Sequence, residues 1–329
     1  MEKEEPIERD ASDRMGDVLK TATHKTPDHI ALLYQEESYT YRRLSSEANR
    51  LSNALTHLGI SKGEKVALYL PNIPEYVVSY FACTKIGAVI VPINTRFQGE
   101  EIRYVLENSD AVALIVSDHY RETLESMQSR PGGVRETILL IRSPRKEEGT
   151  PLPESPEWNY RDFHLLVEGA PDEEPAVAVF PDDPVGIFYT SGTTGLPKGV
   201  VLTHKRALAG IDAWIDGLNL TDRSRSLVIA PFFHIAFNAF VFSMFRAGGS
   251  TIILESFQLK NLLKEVERNR PTFMFAIPSV YIMMIDYPQL KEYDFQTRDA
   301  IVQYLHKHSP VKPEMHGWWK LERAGSYNN

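Results

Sequence analysis

The stretch that decides the fold is Phe188-Tyr189-Thr190-Ser191-Gly192-Thr193-Thr194-Gly195-Leu196-Pro197-Lys198-Gly199-Val200. An apolar run, Val185 to Tyr189, enters it, and a second, Val200-Val201-Leu202, leaves it. The stretch therefore reads as a loop between two strands. Its composition suits a polyphosphate. Glycine lets backbone N–H groups approach an anion closely, and Ser and Thr hydroxyls can donate to phosphate oxygens. Lys198 adds a compact positive charge, and Pro197 stiffens the backbone beside it. The pattern is not a P-loop, because Lys198 is followed by Gly199 and a strand follows where a P-loop has a helix. Nor is it a dinucleotide G-x-G-x-x-G fingerprint. An ordinary polar turn is the plain alternative; the lysine, the flanking strands and the density of donors favour a phosphate cradle.

Working outward, strands alternate with helices on both sides of this loop. Upstream, Asp17 to Ala22 reads as a short helix and Ile30 to Tyr34 with Tyr39-Thr40 as a hairpin around Gln35-Glu36-Glu37. A helix from Tyr41 carries Leu44, Ala48, Leu51, Leu55 and Leu58 at helical spacing and stops at Gly59. Then come strand Val66 to Leu70, helix Ile73 to Ile86, strand Ala88 to Val91, helix Glu100 to Asn108 and strand Val112 to Val116. Downstream, helices are expected at Lys205 to Gly217, Ile235 to Arg246, Leu259 to Asn269 and Pro278 to Ile285. Strands are expected at Leu227 to Ala230, Thr251 to Leu254 and Thr272 to Ala276. This alternation predicts an α/β fold of βα repeats with mostly parallel sheets.

Residues 1–13 are polar and are expected to be disordered. Residues 14–184 read as a first α/β subdomain and 185–329 as a second, which carries the phosphate loop. Between residues 143 and 184, prolines and acidic residues cluster; this reads as a surface excursion with a strand at Ala176 to Phe180 and a solvated acidic face.

Composition narrows the class. With 329 residues, 43% hydrophobic and 24% charged, the chain can bury a large core. A net charge of −8, without a basic cluster, argues against a nucleic-acid partner. The single cysteine, Cys83, excludes an internal disulfide and a cysteine-based zinc site, and its apolar surroundings predict a buried thiol. Leu227 to Phe245 carries no formal charge, but Pro231 divides it into a strand and a helix too short to cross a bilayer. With an acidic start unlike a secretory signal, these features predict a cytoplasmic protein without a transmembrane segment.

The sequence YTSGTTGLPKGVVLTH at 189–204 resembles the adenylate-forming superfamily, which includes acyl-CoA and aryl-CoA ligases, luciferases and adenylation domains. SYTYRRL (38–44), the 53–72 stretch, GAVIVPINTRF (87–97), PFFHIAF (231–237) and IPSVY (277–281) extend the likeness, with long-chain fatty acid–CoA ligases as the best fit. The resemblance implies a two-step reaction. A carboxylate attacks the α-phosphorus of ATP to give an acyl-adenylate and pyrophosphate, and the thiol of coenzyme A then displaces AMP. It implies that Thr190, Ser191, Gly192, Thr193, Thr194 and Gly195 hold the β- and γ-phosphates. Lys198 would be the charge partner of pyrophosphate, and Mg²⁺ would neutralise the rest. His234 would border the reacting carboxyl group; a hydrogen-bonded core histidine is the alternative. Phe237 and Asn238 would join His234 in binding substrate, with Asn238 on one helix face with His234 if the helix starts early enough. Phenylalanines 232 to 245 would form an apolar wall, which favours a fatty or aromatic acid over an amino acid.

After Asp294-Phe295 the likeness fades. By resemblance, the adenine-side G-Y-G-x-T-E segment with its metal-binding glutamate, the T-G-D ribose motif and the C-terminal lid domain are not found, and no metal ligand is assigned. The expectation is a truncated ligase of impaired activity, complemented by a separately encoded C-terminal part. The partner expected is a small-molecule carboxylic acid, a fatty acid first, with peripheral membrane contact compatible with such a substrate. The competing expectations are a non-catalytic nucleotide- or acyl-binding fragment and an adenylation enzyme serving an aryl acid or a carrier protein.

Overall fold

A computed structural model describes residues 14–127, 129–140, 152–190, 196–276, 278–293 and 318–320. The order is α1 (Met15–Lys25), β1 (Ile30–Tyr34), β2 (Glu37–Thr40), α2 (Tyr41–His57), β3 (Lys65–Tyr69), α3 (Pro74–Ile86), β4 (Val89–Pro92), α4 (Gly99–Asn108), β5 (Ala111–Ser117), α5 (Arg121–Glu125) and β6 (Glu136–Leu140). It continues with β7 (Tyr160–Asp162), α6 (Phe163–Glu168), β8 (Pro184–Thr190), β9 (Lys198–Thr203), α7 (His204–Leu218), β10 (Arg225–Val228) and α8 (Ile235–Ala247). Last come β11 (Ser250–Ile253), α9 (Leu259–Asn269), β12 (Phe273–Phe275), α10 (Pro278–Ile285) and β13 (Trp318–Lys320).

The strands form two sheets, of order β7-β6-β5-β3-β4-β8-β9 and β13-β12-β10-β11-β1-β2. In the first sheet only the β8–β9 pair is antiparallel; in the second, β2 and β13 run antiparallel to their neighbours. The mostly parallel α/β architecture matches the sequence reading. Sheet membership crosses residue 184 in both directions, because the β1–β2 hairpin pairs with β11 while β8 pairs with β4.

Period-two alternation builds the layers. In β3, Val66 and Leu68 face the layer of helices shared by the two sheets, whereas Ala67 and Tyr69 face α4 and α5 outside. In the second sheet, Val228, Ile253 and Phe273 face the shared layer while Leu227, Ile252 and Met274 face α9 and α10. Helices α1, α2, α3, α7 and α8 thus fill the space between the sheets. The central strands are covered on both faces, so their carboxyl-terminal halves, such as Leu227-Val228 in β10 and Ile252-Ile253 in β11, are apolar on both sides. Pro74 opens α3 at its first helical position, and Gly87 closes it at φ 70°, where an added Cβ would lie 2.9 Å from the Lys62 side chain.

The proline-rich region needs correction. Its described part contains β7 and α6, neither expected, and the strand predicted at 176–180 does not form. Residues 170–179 instead run as a strap over α2 and α3. Asn49 donates to Asp172 O at 2.9 Å, Asn53 to Pro171 O and Glu173 O, and Lys62 to Ala178 O. Side-chain donors take up carbonyls that a neighbouring strand would otherwise satisfy. The acidic residues there are not all solvated: Glu174 binds the buried Lys85 ammonium at 2.8 Å. β6 and α5 were also missed, being short and bordered by residues without clear periodicity.

Candidate functional site

The loop identified first leaves β8 and returns as β9, and the register sets Thr190 opposite Lys198. Opposed residues project to one face of an antiparallel pair. Val185 and Phe188 face the shared layer, while Ile187 and Tyr189 face the outer one. Alternation therefore puts Thr190 and Lys198 on the side that looks toward the second sheet. Both are exposed. Ser191, Gly192, Thr193, Thr194 and Gly195, the other expected phosphate ligands, lie outside the described residues.

The base of the loop is anchored by residues the sequence reading did not single out. Tyr189 donates through its hydroxyl to Asn108 Oδ1 at 2.7 Å and packs edge-on to Tyr104. Burial pushes its phenol up to about 12. Gly199 is required by packing, because a Cβ there would stand 2.8 Å from Ile187 Cγ2 and 3.2 Å from the Tyr189 ring. At the far end of β9, Thr203 caps α7 by accepting the Arg206 N–H. His204 is fully buried, and its Nδ1 accepts the Met15 N–H at 3.1 Å. Much of the motif therefore holds the loop rather than facing a ligand.

The second half of the site follows β10. This strand lies between β11 and β12, and all three are parallel. The helix after β10, α8, packs into the shared layer, whereas the helix after β12, α10, packs on the outer face. Adjacent parallel strands whose following helices take opposite faces open a crevice at their carboxyl ends, the usual ligand position in such sheets. Pro231-Phe232-Phe233-His234 forms the turn at that edge, closed by the His234 N–H donating to Pro231 O at 3.1 Å. His234 is exposed, so it is not a buried core histidine.

Two expectations around this turn are corrected. Helix α8 begins at Ile235, one residue after His234, so His234 and Asn238 do not share its face through an i,i+4 step. The side chains of Asn238 and Phe237 lie outside the described residues. The expected phenylalanine wall is largely interior: Phe240, Phe242 and Phe245 are buried against Trp214, Tyr80, Phe81 and Tyr41. Tight packing drives this, since α8 is enclosed between two sheets and needs apolar residues all round.

One residue that sequence reasoning missed joins the halves. Asn72, in the connection from β3 to α3, donates to Ala230 O at 3.0 Å and Leu254 O at 3.2 Å, and accepts the Phe232 N–H at 2.9 Å. Tyr76 donates to Phe232 O at 3.0 Å. The carboxyl ends of the two sheets thus meet, with the phosphate loop at the end of β8 and the His234 turn at the end of β10. An Asn just after a strand and before a proline-led helix was the available signal. Among the described residues, no group of three His, Cys, Asp or Glu could hold a metal ion, and no helix is long and apolar enough to cross a membrane.

Comparisons with known proteins agree with this architecture. The N-terminal domain of FACL13 from Mycobacterium tuberculosis, in an inhibitor-bound crystal structure, superposes with a TM-score of 0.76 at 28% identity, covering 85% of this chain and 67% of that one. The anthranilate CoA ligase AuaEII, in complex with anthranoyl-AMP, gives a TM-score of 0.75 at 26% identity, over 85% of this chain and 53% of that one. In sequence, the long-chain-fatty-acid–CoA ligase FadD13 of Mycobacterium tuberculosis (strain ATCC 25618 / H37Rv) is 33% identical over 257 residues, 78% of this chain and 47% of FadD13. YngI of Bacillus subtilis (strain 168) is 31% identical over 307 residues, 86% of this chain and 54% of YngI. The chain thus spans about half the length of the curated relatives it matches. The AMP-binding enzyme family matches residues 19–323, nearly the whole chain, and the chain belongs to that family of adenylate-forming enzymes.

Proposed function

We propose that the chain serves ATP-dependent activation of a carboxylic acid, a fatty acid first, as the acyl-adenylate on the way to acyl-CoA. The observation that carries this reading is that the hairpin mouth, Thr190 opposite Lys198, lies at the carboxyl end of the same parallel sheet whose β3–α3 connection holds the His234 turn through Asn72. In the first step a carboxylate oxygen attacks the α-phosphorus of ATP, and the bond to the β-phosphate oxygen breaks, releasing pyrophosphate with its electron pair. The carboxylate is already ionised near neutral pH, so no base is needed; alignment and charge neutralisation are. Lys198 and the hydroxyls and amides of residues 190–195 take the charge of the departing pyrophosphate. His234 borders the carboxyl group. In the second step the sulfur of coenzyme A attacks the acyl carbon, the acyl C–O bond to the phosphate breaks, AMP leaves with the electron pair, and the thiol's proton passes to solvent.

An apolar acid is favoured because the exposed His234 follows the apolar Pro231-Phe232-Phe233, and the sequence has no acidic residue between 231 and 240 to pair with an α-amino group. The name of FadD13 points the same way, that of AuaEII to aryl acids. A second reading is ligand binding without turnover, since Thr190, Lys198 and His234 are exposed groups that could hold an anion or a carboxylate without completing the reaction. Both are tested by incubating the chain with ATP, Mg²⁺, coenzyme A and a panel of acids, with AMP release as readout and calorimetry in parallel. Acid-dependent AMP release supports the ligase reading. Binding of acid and pyrophosphate without release supports the second, and the absence of both contradicts each.

A further inference from the structure

We propose that Asn72 and Tyr76 are positioning residues of the acid-binding half of the site, holding the Pro231–His234 turn, and therefore His234, to the sheet that carries the phosphate loop. The inference rests on the reading of that turn as the acid side. Asn72 is buried, and its amide is fully used: both Nδ2 hydrogens go to carbonyls at the ends of the second sheet, Ala230 and Leu254, and Oδ1 takes the Phe232 N–H. Only this orientation of the amide fits, since the two carbonyls need donors and the N–H needs an acceptor. Tyr76, also buried, donates to Phe232 O and packs its ring edge-on against the Phe232 ring, centroids 5.1 Å apart. Both backbone polar groups of Phe232, two residues before His234, are therefore held by side chains of the β3–α3 connection and the first turn of α3.

The chemistry of the position is restrictive. Aspartate would turn a carboxylate toward two carbonyl oxygens, and leucine would leave three backbone groups without these partners. The placement explains why such a clamp matters. β3, β4 and β8 are consecutive parallel neighbours, so the sheet that anchors Asn72 also anchors Thr190. In-line attack requires the carboxylate and the triphosphate to be held in one frame, and small misplacements are costly. Asn72 and Tyr76 are side chains that tie the His234 turn to that frame.

The test compares wild type with Asn72→Ala, Tyr76→Phe and the double variant, checked for folding by circular dichroism. The readouts are hydrogen exchange of the His234 amide, which neither residue touches, and calorimetric binding of dodecanoate and of pyrophosphate. We expect His234 exchange about tenfold faster in each single variant, the factor equivalent to roughly one net hydrogen bond. Dodecanoate binding should weaken at least about fivefold while pyrophosphate binding stays within about twofold. If Asn72→Ala fails to fold, Tyr76→Phe, which keeps the ring, carries the test alone. Unchanged His234 exchange in the folded variants overturns the clamp. Faster exchange with unchanged dodecanoate binding overturns its positioning role. Wild type that binds no dodecanoate overturns the acid-side reading and the positioning role with it, and the exchange rates still show separately whether the turn is tied.

Discussion

Thr190 and Lys198 stand opposite each other at the mouth of the β8–β9 hairpin, on the face directed toward the second sheet. The pairing closes the ends of the loop without burying either side chain. Lys198→Ala therefore should leave the fold intact, with unfolding free energy within about 0.5 kcal/mol of wild type by urea titration. A larger loss would mean that Lys198 has a structural task.

Gly199 is different. A side chain there meets Ile187 and the Tyr189 ring, so Gly199→Val should overpack the pair and destabilise the chain by ~1–3 kcal/mol. Thermal unfolding would read this as a lower midpoint. Gly199→Val with an unchanged midpoint would show that β9 shifts freely.

His204 should make stability depend on pH. Burial, the largest cause, with Arg14 and Lys62 adding and Asp183 and Asp17 opposing, lowers its pKa from 6.5 to about 4. Above pH 6.5 the residue is neutral folded and unfolded, and contributes no slope. Between about 6.5 and 4 the unfolded chain holds the extra proton, so stability falls as pH falls; below about 4 the loss is complete. The slope is ~1.4 kcal/mol per pH unit, roughly 3 kcal/mol in all. His204→Gln should remove this component, measured as the difference between the two proteins' urea curves at pH 7.5 and pH 5. Parallel pH profiles would contradict it.

Cys83 offers a probe of folding. It is fully buried in α3, and burial pushes its thiol up to about 12. Ellman's reagent should label it slowly in the native chain and at one equivalent after denaturation. Rapid native labelling would mean that α3 opens.

The α/β architecture was legible because buried parallel strands and the helices between them leave long apolar or amphipathic runs; α9 and α10 match their predicted bounds residue for residue. The proline-rich region was not legible, because side chains of α2 and of the loop after it satisfy its backbone through contacts far apart in sequence. The site was half legible. Thr190, Lys198 and His234 lie in recognisable motifs, whereas Asn72 acts across 160 positions, and its place between a strand and a proline-led helix does not reveal the partner. Aromatic content around His234 overstated the pocket, since enclosure of α8 demands the same residues as an acyl wall. Within the motif itself, Gly199, Thr203 and His204 prove structural.

The central claim is that the hairpin loop of residues 190–198 receives the polyphosphate of ATP. Calorimetric titration of wild type and Lys198→Ala with pyrophosphate at low salt tests it most directly. We expect one site in wild type and binding weakened about tenfold or more in Lys198→Ala, as loss of a charge-assisted contact implies. No binding by wild type, or equal binding by both proteins, would contradict the account.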